Sequence, residues 1–330
     1  MIFGFDWSNE VMRLGRQSLD GAMEATVVGS FTRFGYSMRS RLYTWHELPD
    51  LTGRTIIITG PTSGLGYAAA VELSQFGADL ILVGRDRDRT SATTQELNQL
   101  TGGNVDYVIA DMSELTSVRE ASAELSELPR IDALLHNAGA LLNSYQKTSD
   151  GYEKTFATHV LGPHIMTRTL LPILQRTGDA RVITMTSGGM YAEKLDPAHV
   201  MMSRSEYDGV RAYAKAKRAQ VALNEQWALR EPSAAVFHTV HPGWAATPGI
   251  AGSLPRFNRA MGPFLRDPYQ GADTMVWLAA SDEALLSSGN LWLDRRPRHA
   301  NKVPWTFTGI AQSTELWNLA EEMTAAVSAS

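Results

Sequence analysis

The chain has no cysteine among its 330 residues. Disulfides, thiolate nucleophiles, iron–sulfur clusters and cysteine zinc sites are therefore excluded together. Long apolar runs are missing as well: no window reaches the roughly 18 uninterrupted apolar residues that a membrane-spanning helix requires. There is no basic surplus. Thirty Lys and Arg stand against 35 Asp and Glu, for a formal net charge of −5, and no basic cluster suggests nucleic acid as a partner. Residues 1–10 carry no basic region ahead of an apolar run, so no signal peptide is expected and the expected location is cytoplasmic.

What remains is an ordinary globular composition, 44% hydrophobic and 20% charged, in a chain longer than one typical domain. One bias stands out. Residues 1–50 hold eight of the 28 aromatics: Phe3, Phe5, Trp7, Phe31, Phe34, Tyr36, Tyr43 and Trp45. That is about twice an even share, and a disordered tail would be depleted in such residues. The segment is expected to be a helical, aromatic extension that packs on the rest of the chain, on a second subunit or on a membrane surface. Its five arginines nearly balance its six acids, which weakens the membrane option.

From residue 54 short apolar runs alternate with helical spacing. Strands are expected at 55–59, 78–83, 105–110, 131–135, 182–185, 236–240 and 290–293. Helices are expected at 67–76, 113–128 (with Ser113 as N-cap), 151–175, 212–229 and 271–280. This alternation implies an α/β fold, a doubly wound parallel sheet with helices on both faces. With no repeat, linker or low-complexity run inside it, residues 51–295 read as one dinucleotide-binding domain of Rossmann type. Residues 296–330 read as a C-terminal tail.

Chemistry-bearing residues fall at the strand ends. Gly60, Thr62, Ser63, Gly64, Leu65 and Gly66 follow the first strand and open a helix. Glycines there let the backbone approach a pyrophosphate that the helix N-terminus attracts. Arg85 follows the second strand, where an acidic residue would take the ribose hydroxyl of NAD and an arginine suits the phosphate of NADP. NADP is favoured, with Asp86 as the counter-argument. Asp111 and Met112 end the third strand, where a carboxylate can contact an adenine. Asn137, Ala138 and Gly139 end the fourth, where small residues leave room for a cofactor. Ser187 ends the fifth. Tyr213 and Lys217 share a helical face at i and i+4. A lysine ammonium beside a phenol is expected to lower the phenol's pKa and fit it for proton transfer at a carbonyl.

In this order and placement the motifs resemble those of the short-chain dehydrogenase/reductase family, over roughly residues 52–295. The resemblance implies Ser187, Tyr213 and Lys217 as the catalytic set. Tyr213 would be the general acid/base, Ser187 would orient the carbonyl, and Lys217 would also bind the nicotinamide ribose. It further implies that the segment from His241 through Pro242, Gly243, Trp244 and Thr247 to Pro248 contacts the nicotinamide. Phe31 to Tyr36, Ser187 to Met190, His241 to Gly249 and Gly271 to Met275 are similar to the branch called dehydrogenase/reductase member twelve.

There are two departures. His159 stands where the family has an asparagine that supports a water beside the lysine, so it is expected either to hold that water, to shuttle protons itself, or to be a tolerated helix residue. Ser187 and Tyr213 lie 26 positions apart, about twice the family's gap. Residues 188–206 (with Met190, Met201 and Met202) are expected either to shape the substrate pocket together with 244–268, in which case the methionines suggest a bulky hydrophobic substrate, or to be a packed surface excursion.

The resulting expectation is an NADP-dependent oxidoreductase acting on a carbonyl or secondary alcohol, with no metal and no nucleic acid, and a homo-oligomer by default. The alternatives are a catalytically weakened sensor or scaffold of the same fold, and an epimerase or dehydratase. The glycine spacing speaks against the second.

Overall fold

The computed structural model describes residues 7–247, 249, 252 and 255–326; Phe3, Phe5 and Pro248 lie outside them. Three isoleucines between threonines form the first strand, β1 (Thr55–Thr59), with all five residues buried. β-Branched side chains buried on both faces suit only an interior strand with helices above and below. Successive residues accordingly point to opposite layers: Ile57 joins one apolar core, and Ile56 and Ile58 join the other. The remaining strands are β2 (Asp79–Gly84), β3 (Val105–Ile109), β4 (Ala133–His136), β5 (Arg181–Met185), β6 (Val236–Val240), β7 (Leu291–Leu293) and β8 (Arg296–Arg298).

These eight strands form one sheet in the order β3-β2-β1-β4-β5-β6-β7-β8, parallel except for β8. The direction of chain progression reverses between β1 and β4, and such a reversal opens a crevice at the strands' carboxyl ends. The doubly wound α/β fold expected from the sequence is therefore present.

Two details differ from the sequence reading. The helix expected from Ser113 starts at Leu115 with Glu114 at its cap, because the Ser113 hydroxyl donates instead to Asp111. The long helix 151–175 is broken into Lys154–Phe156, a π-turn Ala157–Leu161 and Gly162–Thr177. π-Turns in helices often sit at functional sites, and His159 is in this one.

The methionine-rich segment 188–206 lies down on the core. Met190 is wholly buried, packing with Val221 and Leu291, and Met202 is also buried. These methionines therefore fill the interior, and the argument from them to a bulky apolar substrate falls. Beyond residue 295, in the stretch read as a tail, the chain adds β8 and the helix Ile310–Ala326, whose Leu316 and Trp317 enter the main core.

The N-terminal segment forms the helices Trp7–Glu24, Val27–Phe31 and Arg33–Leu42 and docks on this same chain. Asp294 is completely buried. Its carboxylate pairs with Arg39 at 2.7 Å and with Arg266 at 2.6 Å. Asp294 and Arg295 are the two central residues of the β7–β8 turn and have φ of 55° and 54°. Hairpin turns with two left-handed residues usually carry Asn-Gly. Here the side chains hold the strained backbone, because Arg295 is clamped by both oxygens of Asp273. Among the described residues no helix is long and apolar enough to cross a membrane.

Burial alone would raise the Asp294 pKa, but the charges of Arg266 and Arg39 hold it below the usual carboxylate value. Its contribution to stability is therefore complete above the unfolded value and disappears as pH falls through the lowered one. Asp294→Asn keeps the shape and takes from the buried Arg266 its carboxylate partner, while Arg39 keeps Asp20 and Glu24, so a loss of roughly 3–5 kcal/mol is expected. Urea unfolding at pH 7 measures it, and the deficit should shrink toward pH 3. An unchanged midpoint at pH 7 would remove the network from the fold's foundations.

Candidate active site

The turn after β1 is built by an amide and a hydroxyl. The Asn137 amide donates to the carbonyls of Thr59 (3.1 Å) and Gly60 (3.0 Å), and the Thr59 hydroxyl accepts the N–H groups of Asn137 and Ala138, both at 3.0 Å. A Cβ on Gly66 would overlap the Gly60 carbonyl and the Asn137 amide, so only glycine lets the helix start this close. Gly60, at φ +68°, lies against Ala138. The helix Gly64–Gln75 then begins with no side-chain cap from Ser63, leaving first-turn N–H groups facing outward beside half-buried Thr62 and Leu65. Such a terminus suits a phosphate.

Around this cradle the other sequence candidates take different parts. Arg85 is exposed at the end of β2. Asp86 beside it caps the next helix, accepting from the Arg89 N–H. Asp111 is occupied, its carboxylate accepting both the Ser113 N–H and hydroxyl. Both bonds end on Oδ1 and shape the turn. Met112 is buried, its carbonyl against Gly162. Pro242 is half-buried and Thr247 half-exposed; Leu65 and Ala245 both reach Gly271. That glycine was passed over as a site residue, although a glycine in an apolar helix start is a signal of close approach.

The reactive side chains meet over the ends of β4 and β5. Ser187 lies near enough to the Tyr213 hydroxyl to favour its ionised form. The Lys217 Nζ lies 5.3 Å from the centre of the Tyr213 ring, and the His159 ring stands edge-on to that ring at 5.2 Å. A Cβ on Gly139 would sit 2.7 Å from the His159 Nε2 and 3.7 Å from the Lys217 Nζ, so the end of β4 closes the group. Thr186, overlooked in the sequence, bonds the Lys217 carbonyl through its hydroxyl at 2.9 Å and so fixes the helix Gly209–Arg230 to β5.

The electrostatics reverse one expectation. Lys217 is buried, donates to the Met185 carbonyl at 2.7 Å, and is pushed down to about 7 by loss of solvation. Tyr213 is pushed up to about 12 by burial, with the Ser187 side chain pulling the other way. Burial therefore outweighs the lysine's field on the phenol, because the ammonium lies beside the ring and is itself poorly solvated.

His159 is pushed down to about 3 by burial and by the Lys217 charge. Its Nδ1 lies 2.7 Å from the Thr155 carbonyl, which places the ring proton there and leaves Nε2 a bare acceptor without a partner. A neutral ring whose proton faces a carbonyl cannot relay protons. It can hold a water beside Lys217, the other role the sequence allowed. Among the described residues no three His, Asp or Glu side chains converge as metal ligands.

Comparisons with known proteins place the chain in a family. The family model for short chain dehydrogenases matches residues 54–253. The chain is 37% identical to human "Dehydrogenase/reductase SDR family member 12" over 270 residues, 81% of this chain and 85% of that protein. It is 36% identical to a Streptomyces protein provisionally named daunorubicin C-13 ketoreductase DnrU over 251 residues, 74% of this chain and 85% of that one. A solved structure of an uncharacterized protein from Mycobacterium paratuberculosis superposes with a TM-score of 0.68 at 25% identity, covering 84% of this chain and 96% of that one.

A lysine depressed to about 7 costs stability wherever the unfolded chain keeps its proton and the folded chain does not. Between pH 7 and the ordinary lysine value of ~10.4 the unfolded state binds more protons, so wild-type stability rises with pH. Lys217→Met should raise the thermal midpoint at pH 7, and that advantage should narrow by pH 10. A pH-independent difference would show that the burial of Lys217 carries no such cost.

Proposed function

The chain belongs to the short chain dehydrogenase family, and from that premise we propose that it is an NADP-dependent oxidoreductase acting on a carbonyl or secondary alcohol, with Ser187, Tyr213 and Lys217 at the reacting centre. The observation that carries this reading is the meeting of those three side chains beside the glycine cradle. Both lie at the carboxyl ends of the strands, flanking the switch point. Gly60, Gly64 and Gly66 with the uncapped helix start fit a pyrophosphate, and the small residues Ala138 and Gly139 leave room beside it.

For the adenosine end, the exposed Arg85 guanidinium suits a 2′-phosphate, while Asp86 is already spent on its helix. The nicotinamide, when bound, supplies or takes the hydride. All other chemistry falls to the chain. In the reducing direction the Ser187 hydroxyl donates to the substrate oxygen and Tyr213 gives it a proton as the carbon is reduced. A phenol held near 12 keeps its proton until that oxygen becomes basic. Lys217, once protonated, stabilises the phenolate left behind; the phenolate regains its proton through Lys217, which is in turn reprotonated from solvent by way of a water held at the His159 Nε2. The name of the Streptomyces relative supports a ketone as the substrate class.

Two variants test this. Tyr213→Phe should bind NADPH as the wild type does and lose at least ~10²-fold in kcat. Arg85→Ala should weaken NADPH by ~10-fold or more, the scale of one charge-assisted contact to phosphate, and leave NADH unchanged. Full turnover by the first variant rejects the mechanism; equal losses for both cofactors by the second reject the NADP assignment.

A further inference from the structure

The loop that runs from His241 to Thr247 is held on one side by the Arg266 backbone and on the other by Phe31 of the N-terminal segment. The Trp244 N–H donates to the Phe31 carbonyl at 2.7 Å. Arg266 Nε reaches the same carbonyl at 3.2 Å, and its Nη2 reaches the Ser30 carbonyl at 2.9 Å. The Arg266 backbone N–H also donates to the Trp244 carbonyl, and its carbonyl accepts from Ala246. Arg39 bonds Ser30 from the other side. The backbone of Ser30 and Phe31 is therefore held by two buried arginines that share Asp294, Arg266 bonding both residues and Arg39 bonding Ser30.

Its ring is the next link. The Phe31 and His241 ring centres lie 4.3 Å apart, and Trp244 meets the Phe31 ring edge-on at 6.0 Å. The Gly243 N–H donates to His241 Nδ1 at 2.8 Å, which leaves the ring proton on Nε2. A Cβ on Gly188, the residue after Ser187, would meet the His241 Nε2 at 2.6 Å and the Phe31 ring at 3.1 Å. The ring of Phe31 thus wedges between the 241–247 loop and the turn that carries Ser187, and Tyr191 of that turn stacks on it at 6.3 Å. Lys302, paired with Glu24, closes the cluster over Phe31 and Tyr191.

We propose that Phe31 is a positioning residue, by which the N-terminal segment sets the 241–247 loop and the Ser187 turn at the distance the bound nicotinamide and substrate need. The proposal rests on the oxidoreductase reading above. It makes the N-terminal segment part of the working domain, and separation of the segment from the domain should disable the site.

The test uses full-length protein. Phe31→Ala is compared with Leu316→Ala, a core truncation in the helix Ile310–Ala326, which contacts the Gly209–Arg230 helix at its far end through Gln226 and Ser313. Each is assayed for melting temperature, for NADPH affinity by quenching of tryptophan fluorescence, and for kcat against a panel of ketones. Both should melt lower. Phe31→Ala alone should weaken NADPH by at least ~5-fold and lower kcat by at least ~10-fold, as expected when reacting groups are misplaced by a fraction of an ångström. Phe31→Leu, which refills most of the space, should recover the greater part of both. If the alanine variant does not fold, Phe31→Val takes its place.

The proposal is overturned if the Phe31 variant binds NADPH within ~2-fold of the Leu316 variant. A wild type that binds NADPH yet reduces no ketone would refute the proposed reaction, while the two affinities would still decide the role of Phe31. A wild type that binds no NADPH would overturn both.

Discussion

The carboxylate of Asp294 is the constraint from which the unusual half of this molecule follows. A fully buried carboxylate stays ionised here because two guanidiniums, Arg39 and Arg266, neutralise it. Arg266 has its ion pair from Asp294, and Arg39 shares Asp294 with Asp20 and Glu24. Arg39 comes from the N-terminal segment, Arg266 from the loop beyond β6, and Asp294 from a strained turn at the sheet's edge. Three pieces of chain with no close sequence relation are therefore fixed to one point. The charges Asp20, Glu24, Arg298 and Lys302 extend the network outward into partly exposed positions.

The site spends stability that this network and the two cores supply. Lys217 and His159 are both buried next to one another, and each is driven toward its neutral form. Tyr213 is driven toward its neutral form as well. A group of three such side chains is poor packing by any measure of transfer free energy. Under the function proposed above it would become useful when negative charge arrives, since an anionic cofactor would raise the lysine's affinity for a proton and a developing alkoxide would draw the phenol's. Of the three, Lys217 alone is held close to its point of ionisation, at about 7, where a small change in nearby charge moves it most.

The sheet was legible because parallel strands buried on both faces must be short apolar runs, and TIII T at the start of the domain is as clear a run as any. The glycine cradle and the serine, tyrosine and lysine were legible because their chemistry is tied to strand ends and to helical spacing. The buried network was not. Arg39, Arg266 and Asp294 are separated by as many as 255 positions, and no local pattern marks any of them as paired. The π-turn at His159 was hidden too, since it differs from a regular helix by one residue of register. Met190 misled because an exposed loop and a buried excursion share the same composition. Periodicity reports which face is covered, and nothing in it says by what.

The surplus of aromatics in the first fifty residues acquires a physical reason from these contacts. Ion pairs set position coarsely, for long side chains can swing through an ångström at little cost. An aromatic ring packed on three sides cannot. Phe31 lies between His241, Trp244 and Tyr191, Tyr36 lies against Trp45 with Arg266 over its ring, and Tyr43 and Trp45 lie under Arg296 and Arg295. Each ring meets an arginine, a histidine or another ring at a defined angle, which converts a flexible electrostatic attachment into a stiff one. Stiffness of this kind has no evident use in an appendage that merely covers a surface. It has one in an appendage whose carbonyl holds the loop beside a reacting centre, where displacement by a fraction of an ångström is felt in the rate.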